Sequence, residues 1–342
     1  MRHQHFSWHA TVLLFFSTLL SACGGGSGSE PVTNNNTASS QSAAQSYVNS
    51  VIDIMQTNSY HRKTLVWNDI RTASMAKLGT TPSASSIDLA LKTALTMLGD
   101  HHSFISKSNG NLILNDGDQL NCADTGLAKP LLPENIGYIK VRGNFSENGT
   151  SGADALATQA NELQGAIKNQ DKPSLIGWIV DLRGNGGGNM WPMIAGIGPL
   201  LGEGTLGYFT NATNERTRWN YTNGQARLDN TIIHTVSNPY PALSPSPKIA
   251  VLTDCNAGSS GEAVIVAFRG RPNTRSFGTP SYGVSTGNQS FTLSDGATLY
   301  LTVSIFTDRN GVNYGGRIAP DEIIDDAIKV QDRAVAWLRD IQ

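Results

Sequence analysis

The chain has 342 residues, of which 39% are hydrophobic and 15% charged, with a formal net charge of -2. So even a balance gives no electrostatic case for nucleic acid as a partner. Beyond the N-terminal segment no stretch approaches the roughly 18 apolar residues that a membrane-spanning helix needs, which excludes a second span.

The first segment reads as targeting rather than fold. Arg2 supplies a positive start, residues 10–20 are an apolar stretch of signal-peptide length, and Leu20-Ser21-Ala22-Cys23 has the form of a bacterial lipobox. On this reading residues 1–22 are removed and Cys23 is lipidated. The mature chain is then anchored at the periplasmic or extracellular face of a bacterial membrane. Residues 23–44 are glycine, serine, asparagine and threonine with almost nothing apolar, which predicts a flexible tether. About 298 residues remain (342 minus 44), room for a small domain plus a larger one.

Residues 45–105 predict a helical subdomain. Val48, Ile52 and Met55 recur at helical spacing, as do Ile87, Leu91, Leu95 and Leu98, with Ser85 or Ser86 placed to cap the second series. Residues 106–342 read as one core domain. Turn signals stand at Asn109-Gly110 and Asp116-Gly117. Strand-like runs at 136–141, 175–180 and 249–252 then alternate with helical stretches at 153–168, 193–201 and 261–268, the pattern of an α/β fold with crossover connections. Residues 286–307 depart from it, with alternating strand patterns around Ser294-Asp295-Gly296, and 327–341 close the chain as an amphipathic helix.

Two segments carry chemistry together. Asp181-Leu182-Arg183-Gly184-Asn185-Gly186-Gly187-Gly188 follows one apolar run, and Asn256-Ala257-Gly258-Ser259-Ser260-Gly261-Glu262 follows another. A glycine loop can aim bare N–H groups at a developing negative charge, and a serine at a strand-to-helix corner can project its hydroxyl to the same point, as acyl transfer requires. The loop lacks a Gly-Lys-Ser/Thr end and Gly-x-Gly-x-x-Gly spacing, so it does not read as a phosphate cradle, and no cofactor is implied. Asp181 and Arg183 read as a structural ion pair. Met190 and Trp191, just past the glycines, are candidates for a substrate groove or for core packing.

A serine needs a base. Behind Cys23 the histidines are His61, His101, His102 and His234, and the one lysine after Ser259 is Lys329, inside the final helix. His61 and His234 read as surface groups. The pair at 101 and 102 ends an apolar helix and has no metal-ligand spacing, so no metal site is read there. Cys122 and Cys255 are either one disulfide or two separate buried thiols. An esterase of the α/β-hydrolase kind is disfavoured, since Gly258-Ser259-Ser260-Gly261 misses Gly-x-Ser-x-Gly and no histidine follows the serine in the required order.

Leu98-Gly99-Asp100-His101-His102-Ser103, the 181–188 loop, the 253–262 segment and Gly316-Arg317-Ile318-Ala319-Pro320-Asp321, in this order, resemble the C-terminal-processing (tail-specific) serine peptidases, in their tricorn-core and retinoid-binding-protein-like branch. The resemblance implies an α/β core of the ClpP/crotonase-like kind and hydrolysis of peptides or unfolded protein tails. It implies Ser259 as nucleophile, His102 as general base, and an oxyanion hole from the N–H of Ser260 and of Gly186 or Gly187. Processing members carry a lysine base in a Gly-Lys-Gly-Thr-like segment. The comparable Tyr282-Gly283-Val284-Ser285-Thr286 has Val284 there, which points to the histidine-using branch. The 33 residues at 103–135 are too few for an inserted PDZ domain, so the layout is similar to the nisin-resistance type. The competing expectation is a non-catalytic lipoprotein that binds an apolar ligand or peptide on the same fold.

Overall fold

The computed structural model describes residues 35–116, 120, 122, 131–146, 149–150 and 152–340. The signal stretch and Cys23 lie outside them. Three helices open the described chain: α1 (Asn35–Asn58), α2 (Trp67–Leu78) and α3 (Ala84–Leu98). The first ten residues of α1, 35–44, lie inside the stretch read as tether. The correction has a simple cause. Residues 35–58 contain no glycine or proline, and once Val48, Val51, Ile52 and Met55 are buried, adding helical residues costs little. Ala44, in the supposed tether, is itself buried in that cluster. The cap of α3 is Ser83, not Ser85 or Ser86. Its hydroxyl accepts from the Ser86 N–H at 3.2 Å, while Ser86 Oγ accepts from the Ser83 N–H at 2.9 Å. Gly99, left-handed at φ 66°, ends the helix.

Strands then alternate with helices. β1 (Phe104–Ser106) and β2 (Leu112–Leu114) form a hairpin; β3 (Ile136–Lys140) and a short ribbon of β4 (Phe145–Ser146) and β5 (Gly149–Thr150) follow. Next come α4 (Ala153–Gln170), β6 (Gly177–Asp181) and α5 (Met190–Leu201), then an antiparallel run of β7 (Gly204–Asn211), β8 (Arg216–Thr222), β9 (Gln225–Leu228) and β10 (Thr231–Thr235). The chain ends with β11 (Ile249–Thr253), α6 (Ser260–Phe268), β12 (Thr274–Gly278), β13 (Thr286–Thr292), β14 (Thr298–Asp308), β15 (Glu322–Ile323) and α7 (Lys329–Arg339).

The strands make two main sheets. One is parallel, in the order β15-β12-β11-β6-β3. Alternate side chains point to opposite faces of a strand. Ile179, Ala250, Leu252 and Phe277 therefore meet α7, while Trp178, Val180, Ile249 and Val251 meet α4, α5 and α6. The other is antiparallel, β10-β9-β8-β7-β14-β1-β2, with β13 also on β14. Its Ile105, Ile113, Leu299 and Leu301 pack under the three N-terminal helices. Its Leu206, Trp219, Tyr221 and Phe306 close over α5 and α6 from the side away from the parallel sheet. The expected mixed α/β core with a small helical part in front is the observed architecture.

Residues 204–235 have no strand expectation, and His234, read above as a surface group, lies partly buried on β10. Asparagine, threonine and arginine dominate this run and hide the alternation, because only a few positions such as Leu206, Trp219, Tyr221 and Ala226 are buried. The topology places β6 and β11 side by side and parallel, so the two chemical loops leave the same end of the sheet. The carboxyl ends of parallel strands are where such sheets carry their sites.

Candidate active site

The glycine loop is fixed before it reaches the site. Asp181, at the end of β6, is 1% exposed and takes two hydrogen bonds from the Arg183 guanidinium (2.9 and 2.7 Å) and one from Tyr138 Oη (2.8 Å). Burial alone would raise its pKa, but Arg183 and Lys140 outweigh it and hold the carboxyl below the usual range. Lys140 Nζ also donates to the Arg183 carbonyl. The pairing expected of Asp181 and Arg183 is thus present, and it is structural.

The two loops interlock through backbone. Gly258 N–H donates to the Asn185 carbonyl (3.0 Å), and a Cβ placed on Gly261 would lie 2.2 Å from that same oxygen. A Cβ on Gly187, whose φ is +109°, would lie 2.9 Å from Ser259 Cβ. Only glycine permits this approach. Asp254 Oδ1 adds a clamp, accepting from Gly184 N–H at 2.9 Å and Asn256 N–H at 3.0 Å. Cys255, next to it, is bonded to Cys122 with the alpha carbons 5.5 Å apart.

Ser259 stands at the corner between β11 and α6 with φ 50° and ψ -117°. A non-glycine residue rarely adopts such a conformation unless its surroundings impose it. Here Glu262 imposes it. Its carboxylate is fully buried and accepts four hydrogen bonds: Oε2 from the N–H of Ser259 and of Val284 (2.9 Å each), Oε1 from Gly283 N–H (2.9 Å) and Ser281 Oγ (2.6 Å). Burial raises its pKa and the four donors lower it, which together leave it at about 7. Three of the four partners are backbone N–H groups that cannot accept a carboxyl proton, so the geometry suits the ionised form.

His102 enters from the far side. Its N–H and that of Ser103 donate to Asp100 Oδ1 (3.0 and 2.8 Å), and Asn288 Nδ2 donates to its carbonyl (3.0 Å). Its ring Nδ1 lies 2.6 Å from Thr286 Oγ1, two residues along from the Val284 amide held by Glu262. Desolvation pushes its pKa down to about 4, against an opposing pull from the Asp100 carboxylate. Among the described residues no hydrogen bond joins His102 directly to Ser259. The two are linked through Glu262 and the 284–286 segment. Neighbouring His101 is exposed, with φ 54°.

Of the remaining predicted residues, Ser260 N–H and Gly186 N–H have no hydrogen bond among the described residues, whereas Gly187 N–H donates to Asn185 Oδ1 at 3.1 Å. Met190 is 5% exposed and sits in the core. Trp191 is partly buried, edge-on to Phe209 with ring centroids 6.4 Å apart. Lys329 is 77% exposed and paired with Asp326, far from a base's surroundings. Among the described residues no cluster of ligating side chains could hold a metal. Sequence reasoning missed Thr286 and the fourfold role of Glu262. The Ser259–Glu262 spacing, that of a capping box, was a usable signal for the second; nothing local signalled the first.

Known proteins resemble this chain in sequence and in fold. The sequence model of a family described as "Peptidase family S41" matches residues 135–324. A nisin-resistance protein of Lactococcus lactis subsp. lactis is 28% identical over 297 residues, covering 86% of this chain and 87% of that one. Among solved structures, a lipoprotein from Streptococcus agalactiae superposes with a TM-score of 0.66 at 25% identity, over 86% of this chain and 96% of that one. The photosystem II D1 C-terminal processing protease gives 0.51 at 13% identity, over 83% and 93%, a likeness of fold.

Two measurements check the site's physical chemistry. Glu262→Gln replaces one acceptor oxygen with an NH2 that faces donors, so unfolding in denaturant should show a loss of about 1–3 kcal/mol; an unchanged midpoint and slope would refute the clamp. In an NMR pH titration the His102 ring should stay neutral from pH 8 down to about 5 and charge with a midpoint near 4. A midpoint at or above the ordinary value of about 6.5 would show that burial does not govern it.

Proposed function

Because this chain belongs to peptidase family S41 and is a serine-type peptidase, we propose that it is an envelope-tethered endopeptidase that cuts peptides or unfolded protein tails through Ser259 and His102. The observation that carries the reading is the clamp on Glu262. One carboxylate ties the amide of the strained serine to the segment whose Thr286 holds the histidine. A surface turn would need neither the buried charge nor the strain.

His102 donates Nδ1–H to Thr286 Oγ1, which leaves Nε2 with a lone pair to take the Ser259 proton. The serine oxygen attacks the peptide carbonyl. The oxyanion is met by Ser260 N–H, at the N-terminus of α6 where the helix dipole favours negative charge, and by Gly186 N–H, since Gly187 N–H is engaged by Asn185. The imidazolium returns the proton to the leaving amine, and water then opens the acyl-enzyme with His102 again as base. Trp191 is the better groove candidate of the expected pair, Met190 being in the core.

The tether rests on the lipobox at Cys23 and on the likeness to a lipoprotein of known structure. Among the described residues no helix is long and apolar enough to cross a membrane. The expected binder without catalysis is set aside by membership of a peptidase family.

Ser259→Ala should abolish hydrolysis with an unchanged unfolding curve, and His102→Ala should lower the rate by at least roughly 10². Proteomic comparison of peptide ends made by the intact protein and by the Ser259→Ala form reads both the activity and its specificity, and identical end profiles would sink the assignment. Thr286→Val should lower kcat by about tenfold with KM held, the worth of one hydrogen bond, and Thr286→Ser should restore it. Equal rates for the Val and Ser variants would remove Thr286 from the mechanism.

A further inference from the structure

The strand that carries His102 into the site belongs to a sheet with two unlike faces. On β1, β2 and β14 the residues Ile105, Ile113, Leu299 and Leu301 are buried under the helices. Side chains alternate, so their neighbours point the other way. Pairing aligns Leu114, Phe104, Tyr300 and Ser290 across four strands, with Leu112 one step along β2. Among the described residues no helix covers this outer face. Leu112 and Leu114 are each 47% exposed and Tyr300 36%. Phe104 and Tyr300 stack, ring centroids 4.7 Å apart. The other paired positions of the face are serine, threonine and asparagine, with no charged side chain.

An exposed strip of aromatic and leucine side chains whose paired positions carry no charge, bordered at the β2 edge by Asp88 and Lys92 of α3, has the make-up of the centre of a binding surface. Its position says what it binds. Asn288, whose amide holds the His102 carbonyl, lies on this face and accepts from Thr302 Oγ1 at 2.9 Å. At the other strand, Asn115 Nδ2 donates to the carbonyl of Ser103, beside the histidine. The strip therefore starts at the backbone of the proposed base and runs away from it. Phe104 lies two residues from His102, about 7 Å along a strand, and three strand spacings of about 4.8 Å cover the rest of the ladder. An extended chain advances about 3.3 Å per residue, so side chains roughly two to four residues from the reacting bond reach the strip.

We infer that the outer face formed by Phe104, Tyr300, Leu112 and Leu114 is a docking platform for an apolar or aromatic stretch of the extended peptide substrate, a few residues away from the bond that is cut. This rests on the peptidase reading and adds a substrate class to it: chains with bulky apolar residues near the cleavage point. A site of this kind raises affinity and leaves the chemistry at Ser259 alone, so it acts on KM.

The test uses the full chain in its Ser259→Ala form, so that peptide is retained. The probe is a fluorescein-labelled peptide of about ten residues with Phe and Leu near its centre, alongside the same peptide with both replaced by Ser. Adding Tyr300→Ser and Leu114→Ser should weaken the Phe/Leu peptide by at least about tenfold, the scale of one lost aromatic anchor, and leave the Ser peptide unchanged. All these side chains are exposed, and Leu112→Ser alone gives a second variant with a smaller loss. Equal affinity for both peptides, or no change in either variant, overturns the proposal. So does a dimer that dissociates on Tyr300→Ser with peptide binding untouched, because the face would then join two copies of the chain. The binding readout is independent of hydrolysis: if Ser259→Ala still cuts peptides, the nucleophile is wrong while the platform stands or falls on its own numbers.

Discussion

A single buried carboxylate organises this site. Glu262 has no exposed surface, yet it is surrounded by four donors, three of them backbone N–H groups that can do nothing but donate. An ion buried without partners would be prohibitive, and an ion with every lone pair engaged is tolerable. The donors come from two parts of the chain more than twenty residues apart. One is the amide of Ser259, the other the 281–284 segment. Removing the charge would release both at once, so the conformation of Ser259 and the position of the histidine's partner are not independent properties.

Other contacts brace the same segment from outside. Ser285 Oγ donates to the Gly316 carbonyl and accepts from Gly315 N–H, and Ser281 Oγ accepts from Ile318 N–H while it donates to Glu262. Arg317 reaches the carbonyls of Ser281 and Pro280. The Gly316 to Asp321 motif, which carried part of the family resemblance, thus forms the outer wall of the strip that Glu262 holds from within. The ion-paired loop at Asp181 to Arg183 does the corresponding service on the other side of Ser259.

What the sequence revealed follows from how local each feature is. The strands β3, β6 and β11 are buried on both faces and read as apolar runs. The helices α4, α5 and α6 follow from spacing, and the serine corner and glycine loop follow from their flanks. Strands β7 to β10 did not show, because their outward residues are mixed and their inward ones few. The start of α1 is hidden by its polar composition, because helix continuity with the buried turn at 48–55 governs there. Thr286 was out of reach. Its meeting with His102 spans 184 positions and depends on β1 and β13 flanking β14 from opposite sides, which no local pattern encodes.

The exchange of lysine for valine now has a structural meaning. Val284 is 7% exposed, its amide is engaged by Glu262, and its methyl Cγ2 would lie 3.7 Å from a Cβ on Gly258, one residue before the serine. An apolar side chain therefore packs beside Gly258 at the position where the resembling lysine-using peptidases carry an ammonium. It can take no proton, and it removes water from the spot where a cation would need solvation. In the mechanism proposed above the base comes from elsewhere, and the His102 imidazole meets the hydroxyl of Thr286 instead of a carboxylate. A carboxylate there would raise the imidazole's pKa and favour the charged form; a threonine hydroxyl orients the ring without doing so. Burial outweighs the pull of the Asp100 carboxylate, and with a neutral partner at Nδ1 it favours an uncharged imidazole, which is the form that can accept a proton.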